Sequence, residues 1–292
     1  MKKTYQYAPG RHALRDKGLL KDVVGKMRAF WGKMPTEEII PVEAISQEFT
    51  QKEKENAGWV SPNYSKSRTV KLDPAVLADN RCVGIFPYAR EAEVYKVLRT
   101  QILQATKEKG GNAIMITSAL PGEGKTLTAI NLSFTFAKLF EQTVLLVDGD
   151  LKQQAIHKTL GFAGDKGLID HLIDDTPLSE LMIWPGIDKL TLISGGRSIN
   201  ESAELLRSAR MKELVDEMKT RYPDRYVFFD VPPILTGADT LDFVPLVDHV
   251  IVVVQYGVTP IDDIKKAIEL IPQEKVIGFV LNRQDVKGTT AD

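Results

Sequence analysis

From about residue 90 the chain alternates short, unbroken apolar runs with longer stretches whose apolar residues recur every three or four positions. The runs fall at 113–117 (AIMIT), 143–148 (TVLLVD), 189–193 (KLTLI), 226–230 (YVFFD), 249–254 (HVIVVV) and 275–281 (KVIGFVL). Their length and their β-branched and aromatic content predict strands. Helical patterns lie between them at 91–109, 125–140, 201–221 and 260–271. A strand that is apolar at every position has both faces covered. The pattern therefore predicts an α/β fold, a doubly wound, mainly parallel sheet with helices on both faces. Ligands of such sheets bind beyond the carboxyl ends of the strands.

The first third reads differently. Residues 1–34 carry nine Lys or Arg against Asp16 and Asp22. Leu20, Val23, Val24, Met27, Phe30 and Trp31 fall on one helical stripe beside that basic face, a pattern fit to lie on an anionic membrane surface or to dock on a partner. Residues 35–80 are polar, hold four prolines and read as a linker with at most short helices. The predicted organisation is a basic amphipathic segment (1–34), a linker (35–80), one nucleotide-type domain (81–285) and a short tail (286–292).

Composition adds exclusions. Net charge is −1, with 43% apolar and 26% charged residues. The main domain shows no strong basic stripe, which argues against nucleic acid as a partner. The single cysteine, Cys82, excludes an intrachain disulfide and fits a reducing compartment. No run approaches the roughly 20 apolar residues of a membrane span, and the start lacks the apolar core of a secretory signal. The expected location is the cytoplasm.

The chemistry concentrates at 118–126, SALPGEGKT. Between a predicted strand and a predicted helix stands Ala119-x-x-x-x-Gly124-Lys125-Thr126, a phosphate-binding loop with Ala in place of the first Gly. Pro121, Gly122, Glu123 and Gly124 curl the backbone so that N–H groups, continuing through Leu127, face phosphate oxygens. Lys125 reaches the β- and γ-phosphates, and the Thr126 hydroxyl can bind Mg²⁺. Asp148 and Asp150 end one strand and Asp230 ends another. Such acids can hold Mg²⁺ or its waters and orient a nucleophile. Asn282 and Arg283 follow the last strand, within reach of a base.

SALPGEGKT, LLVDGDLK (145–152) and FFDVPP (228–233), in that order, resemble the three nucleotide motifs of the bacterial tyrosine autokinases of polysaccharide biosynthesis. These kinases sit within the P-loop group that includes the MinD/ParA ATPases. The resemblance spans about residues 85–285 and includes EVYKVLRTQI, GLIDHLIDD and SAELLRSARMKEL. It implies ATP and Mg²⁺ as cofactors. It implies that Lys125 stabilises the transferring phosphoryl group and that Thr126 and Asp230 serve the metal, with Asp148 also placed there. The resemblance also implies that one of Asp148 and Asp150 deprotonates the incoming tyrosine; which of the two stays open. Asn282 resembles the residue beside adenine. Glu93, Lys96 and Arg99 match the family's ring-forming motif, with Lys96 where an Arg usually stands. Lys152 likewise replaces an Arg.

Two departures matter. MinD/ParA-type loops carry a second Lys at the position of Leu120, so this loop fits the kinase branch. The family usually ends in a tyrosine-rich tail, and residues 283–292 contain no tyrosine. Tyr5 and Tyr7, in the basic N-terminal segment, are the expected acceptors in trans. The resemblance thus implies an autophosphorylating protein-tyrosine kinase that regulates exopolysaccharide polymerisation or export. A membrane co-polymerase on a separate chain would activate it, self-association would form a ring, and residues 14–33 would touch the inner face of the membrane. The alternative is a MinD/ParA-like regulatory ATPase or scaffold of the same membrane complex without tyrosine kinase activity.

Overall fold

The computed structural model describes residues 67–86, 89–199 and 202–283. The predicted strands all form: β2 (Ala113–Ser118), β3 (Thr143–Asp148), β5 (Leu190–Ile193), β6 (Arg225–Asp230), β7 (His249–Gln255) and β8 (Val276–Asn282). Two short pieces join them, β1 (Arg68–Thr69) and β4 (Ile183–Trp184). The sheet order is β1-β4-β5-β3-β6-β2-β7-β8. Every pairing is parallel except β4 with β5.

β2 and β3 are buried at every residue. Within these runs successive side chains still alternate between two packing layers. Met115, Leu145, Val147, Phe229 and Val252 face one core, shared with Met211, Leu214, Val215 and Met218 of a helix at Ala209–Thr220. Ile114, Ile116, Leu146, Phe228 and Ile251 face the other, shared with Ile130, Phe134 and Phe136. Those three belong to α2 (Lys125–Ala137), which follows α1 (Arg90–Lys109). The helix at Ala209–Thr220 is α3, and α4 is Ile261–Glu269.

Helix ends depart from the sequence reading for identifiable reasons. α2 stops at Ala137 rather than near 140. The buried Lys189 ammonium donates to the carbonyls of Leu139 and Phe140, a C-terminal cap supplied from across the fold. The stretch 201–221 divides into Ser202–Leu206 and α3, because Ser208 Oγ accepts from Met211 N at 3.1 Å and starts a new helix. Part of the stretch read as linker is packed chain. Asp73 caps a helix at Pro74–Asp79 whose Leu77 is 2% exposed, and Arg68–Thr69 pairs with β4. Residues 14–33, Tyr5, Tyr7 and the tail beyond 283 lie outside the described residues.

Candidate active site: a phosphate loop facing two strand-end acids

β2, β3 and β6 are neighbours, so their carboxyl ends bring the loop and all three acids together. The loop turns from β2 into α2 through two left-handed glycines, Gly122 (φ +81°) and Gly124 (φ +96°). A Cβ on Gly124 would stand 2.1 Å from Asn282 Nδ2, so a side chain here would both strain the left-handed backbone and push Asn282 aside. The N–H groups of Gly122, Glu123, Gly124, Lys125 and Thr126 have no acceptor among the described residues. They line the loop and open the first turn of a 13-residue helix that begins at Lys125, where unpaired donors and the helix dipole favour an anion.

Lys125 Nζ lies 2.9 Å from Asp150 Oδ2 and 3.3 Å from Asp230 Oδ1. Thr126 Oγ1 donates to Asp230 Oδ2 at 2.6 Å. Burial works against the ammonium, but the charges of Asp230 and Asp150 outweigh it and hold the Lys125 pKa above its ordinary value. Asp148 stands deeper. It is fully buried, opposite Asp230 across the β3–β6 ladder. Its oxygens accept from the backbone N–H groups of Asp150 (3.3 Å) and Ile156 (3.1 Å). Burial, then the neighbouring Asp230, pushes its pKa up to about 8. Burial also drives Asp230 up, against the pull of Lys125 and Thr126. Two buried carboxyls side by side do not both ionise readily.

The donor set fits a nucleotide phosphate with Mg²⁺: free amides and one ammonium for the anion, and a hydroxyl beside a carboxylate for the metal. Among the described residues no group of three or more His, Cys, Asp or Glu could cage a metal on its own.

Other expected residues take clear positions. Asn282 Nδ2 donates to the Glu123 carbonyl at 2.8 Å, beside the loop. Arg283 is left-handed (φ +58°), with Nη1 3.4 Å from Gln255 Oε1. The ring-motif residues divide. Lys96 pairs with Glu93 at 2.5 Å within α1, whereas Arg99 turns inward, its Nη1 2.5 Å from the Thr135 carbonyl. Burial lowers the Arg99 pKa.

The side-chain role of Glu123 escaped the sequence reading. Glu123 is 2% exposed. Its carboxylate turns away from the phosphate side, accepting from Leu120 N at 2.7 Å and from the Thr259 hydroxyl. It clamps the loop to the segment between β7 and α4. An acid inside a loop built for an anion was the available signal.

The comparisons agree with this geometry. Residues 111–278, more than half of the chain, match the family model described as AAA domain. Tyrosine-protein kinase YwqD of Bacillus subtilis (strain 168) is 33% identical over 198 residues, 67% of this chain and 82% of that protein. Succinoglycan biosynthesis transport protein ExoP of Rhizobium meliloti (strain 1021) is 29% identical over 218 residues, 71% of this chain and 27% of that longer protein. The crystal structure of the chimerical protein CapA2B2 aligns with a TM-score of 0.65 at 26% identity, covering 80% of this chain and 99% of that one. Among the described residues no helix is long and apolar enough to cross a membrane. With its phosphate loop and strand-end acids in that frame, the chain belongs to the AAA-domain family of P-loop proteins and, within it, to the bacterial tyrosine-protein kinases.

Proposed function

We propose that this chain transfers the γ-phosphoryl group of ATP to tyrosine hydroxyls and thereby regulates exopolysaccharide polymerisation or export. The observation that carries the reading is Lys125 held between Asp150 and Asp230, with Thr126 on the second oxygen of Asp230. Bound ATP–Mg²⁺ supplies the phosphoryl group and part of the positive charge that neutralises it. The chain supplies position and electrostatics. The free amides of Gly122 to Thr126 hold the phosphates, and Lys125 swings from the carboxylates to meet them. Thr126 and Asp230 would hold the metal, directly or through water. Asp150 takes the phenol proton as the tyrosine oxygen bonds to phosphorus and the bond to the β-phosphate oxygen breaks. Asp148 is too tightly held by backbone N–H groups for that role and instead fixes the turn that carries Asp150.

The polysaccharide setting is supported by the name of ExoP. In this reading a separate co-polymerase chain at the inner face of the membrane is the activator, residues 14–33 add a membrane contact, and subunits associate through α1. Tyr5 and Tyr7 accept phosphate from a neighbouring subunit.

The test is phosphotyrosine formation with ATP–Mg²⁺, for wild type beside Lys125→Met and Asp150→Asn. Wild type gains phosphate on tyrosine, and each variant loses about a hundredfold or more in rate. ATP hydrolysis with no phosphotyrosine, even with the activator chain present, rejects the kinase reading in favour of a regulatory ATPase.

A further inference from the structure

The two loops whose acids hold Lys125 are joined a second time. Lys152, two residues past Asp150, places Nζ 2.8 Å from Asp239 Oδ1. Asp239 lies nine residues beyond Asp230, on the segment after β6. Its other oxygen accepts from the Ser202 hydroxyl. The Lys152 carbonyl in turn accepts from Ser198 Oγ at 3.0 Å. Residue 152 is therefore held on both sides, by the loop after β6 and by the loop after β5.

The turn between Asp150 and Lys152 passes that restraint on. Gln153 N donates to Asp150 Oδ1 at 3.1 Å, and Gln154 N donates to the Asp150 carbonyl at 2.8 Å. The same Asp150 places Oδ2 on Lys125. On the facing side, Thr117 and Thr240 hydroxyls both donate to the Pro232 carbonyl, which fixes the segment leading to Asp239 against β2. A surface ion pair contributes little by itself, and the Lys152 side chain is 47% exposed. Asp239, however, is 3% exposed, and each carboxylate oxygen has a side-chain donor, Lys152 on one and Ser202 on the other. Removing one donor leaves a buried carboxylate short of a partner.

We propose that Asp239 is a positioning residue for phosphoryl transfer. Through Lys152 it latches the Asp150 turn to the loop after β6, and keeps Asp150 and Asp230 matched across Lys125. The latch suits lysine. A point-like ammonium takes one carboxylate oxygen and leaves the other to Ser202. The assignment of a step to Asp239 rests on the kinase reading above; the latch itself does not.

Two measurements on Lys152→Gln, Asp239→Asn and the double variant test it. The first is hydrogen–deuterium exchange of nucleotide-free protein over residues 149–155. Each single variant exchanges faster there, and the double variant exchanges no faster than Asp239→Asn. The second is steady-state kinetics. Each single variant loses about tenfold in kcat while the KM for ATP stays within about twofold, and the double variant loses no more than one single. Lys152→Arg, which keeps the charge, retains protection of the turn. Unchanged exchange in both single variants overturns the proposal, and so does a double-variant loss equal to the product of the two. If wild type forms no phosphotyrosine, the kinase reading fails while the exchange data still decide the latch. Lys152→Gln alters a half-exposed side chain and yields folded protein even if Asp239→Asn does not.

Discussion

Replacing Asp148 by Asn changes how stability depends on pH. A carboxyl whose folded pKa exceeds its unfolded value binds its proton more tightly when folded. Between those values the folded protein carries more protons than the unfolded chain, so stability falls as pH rises. Asp148 moves from an ordinary 3.8 to about 8, first through burial and then through Asp230. Each pH unit in that window costs wild type about 1.4 kcal/mol from this group. From pH 5 to 7.5 the sum is about 3 kcal/mol, a large share of a typical domain stability of roughly 5–15 kcal/mol.

The Asn variant has no proton to release and does not lose this amount. It has its own cost, because Asn offers one acceptor where Asp148 serves the N–H groups of both Asp150 and Ile156. That cost is about 1–3 kcal/mol, and it is the same at every pH. The expected result is a variant weaker than wild type near pH 5 that overtakes it by pH 8. Urea unfolding of nucleotide-free, metal-free protein at half-unit pH steps reads the difference for Asp148 together with the neighbours it is coupled to, Asp230 and Lys125. Parallel stability profiles for the two proteins would refute the buried-acid argument.

Two further substitutions test the loop. Gly124→Ala forces a side chain into a left-handed position 2.1 Å from Asn282 Nδ2; nucleotide affinity, measured by fluorescent-nucleotide titration, drops about tenfold or more through backbone strain and displacement of Asn282. Glu123→Ala leaves Leu120 N and the Thr259 hydroxyl without their acceptor; urea unfolding shows a loss of about 1–3 kcal/mol, and Glu123→Gln, which keeps one acceptor oxygen, loses less.

Much of this was legible in the sequence because it depends on neighbours along the chain. β2, β3 and β6 sit at the centre of the sheet, covered on both faces, so each carries an unbroken apolar run. β1 and β4 are two residues each at or beside the edge and leave no such trace. The end of α2 is set by Lys189, and the site's braces, Glu123 to Thr259 and Lys152 to Asp239, link residues 136 and 87 positions apart. No local pattern announces a partner at that distance.

Asp148 and Asp150 show where the boundary falls. As a motif they are a pair of acids two apart, and an extended strand would point both to the same side. β3 ends at Asp148, however, and Gly149 N bonds the Asp230 carbonyl at 2.8 Å. The chain leaves the sheet there. Asp148, still in the ladder, is held by backbone donors and kept from ionising freely. Asp150, past the turn, meets Lys125 instead. The spacing announces two carboxyls, and the turn between them decides that one organises the backbone while the other faces the phosphate loop. A sequence reading that must choose a base from spacing alone has no access to that turn. For the same reason the latch at Lys152 matters: Asp150 owes its place on Lys125 to a turn outside the sheet, where no strand ladder holds the backbone and side-chain contacts add to the bond from Gln154 N to the Asp150 carbonyl.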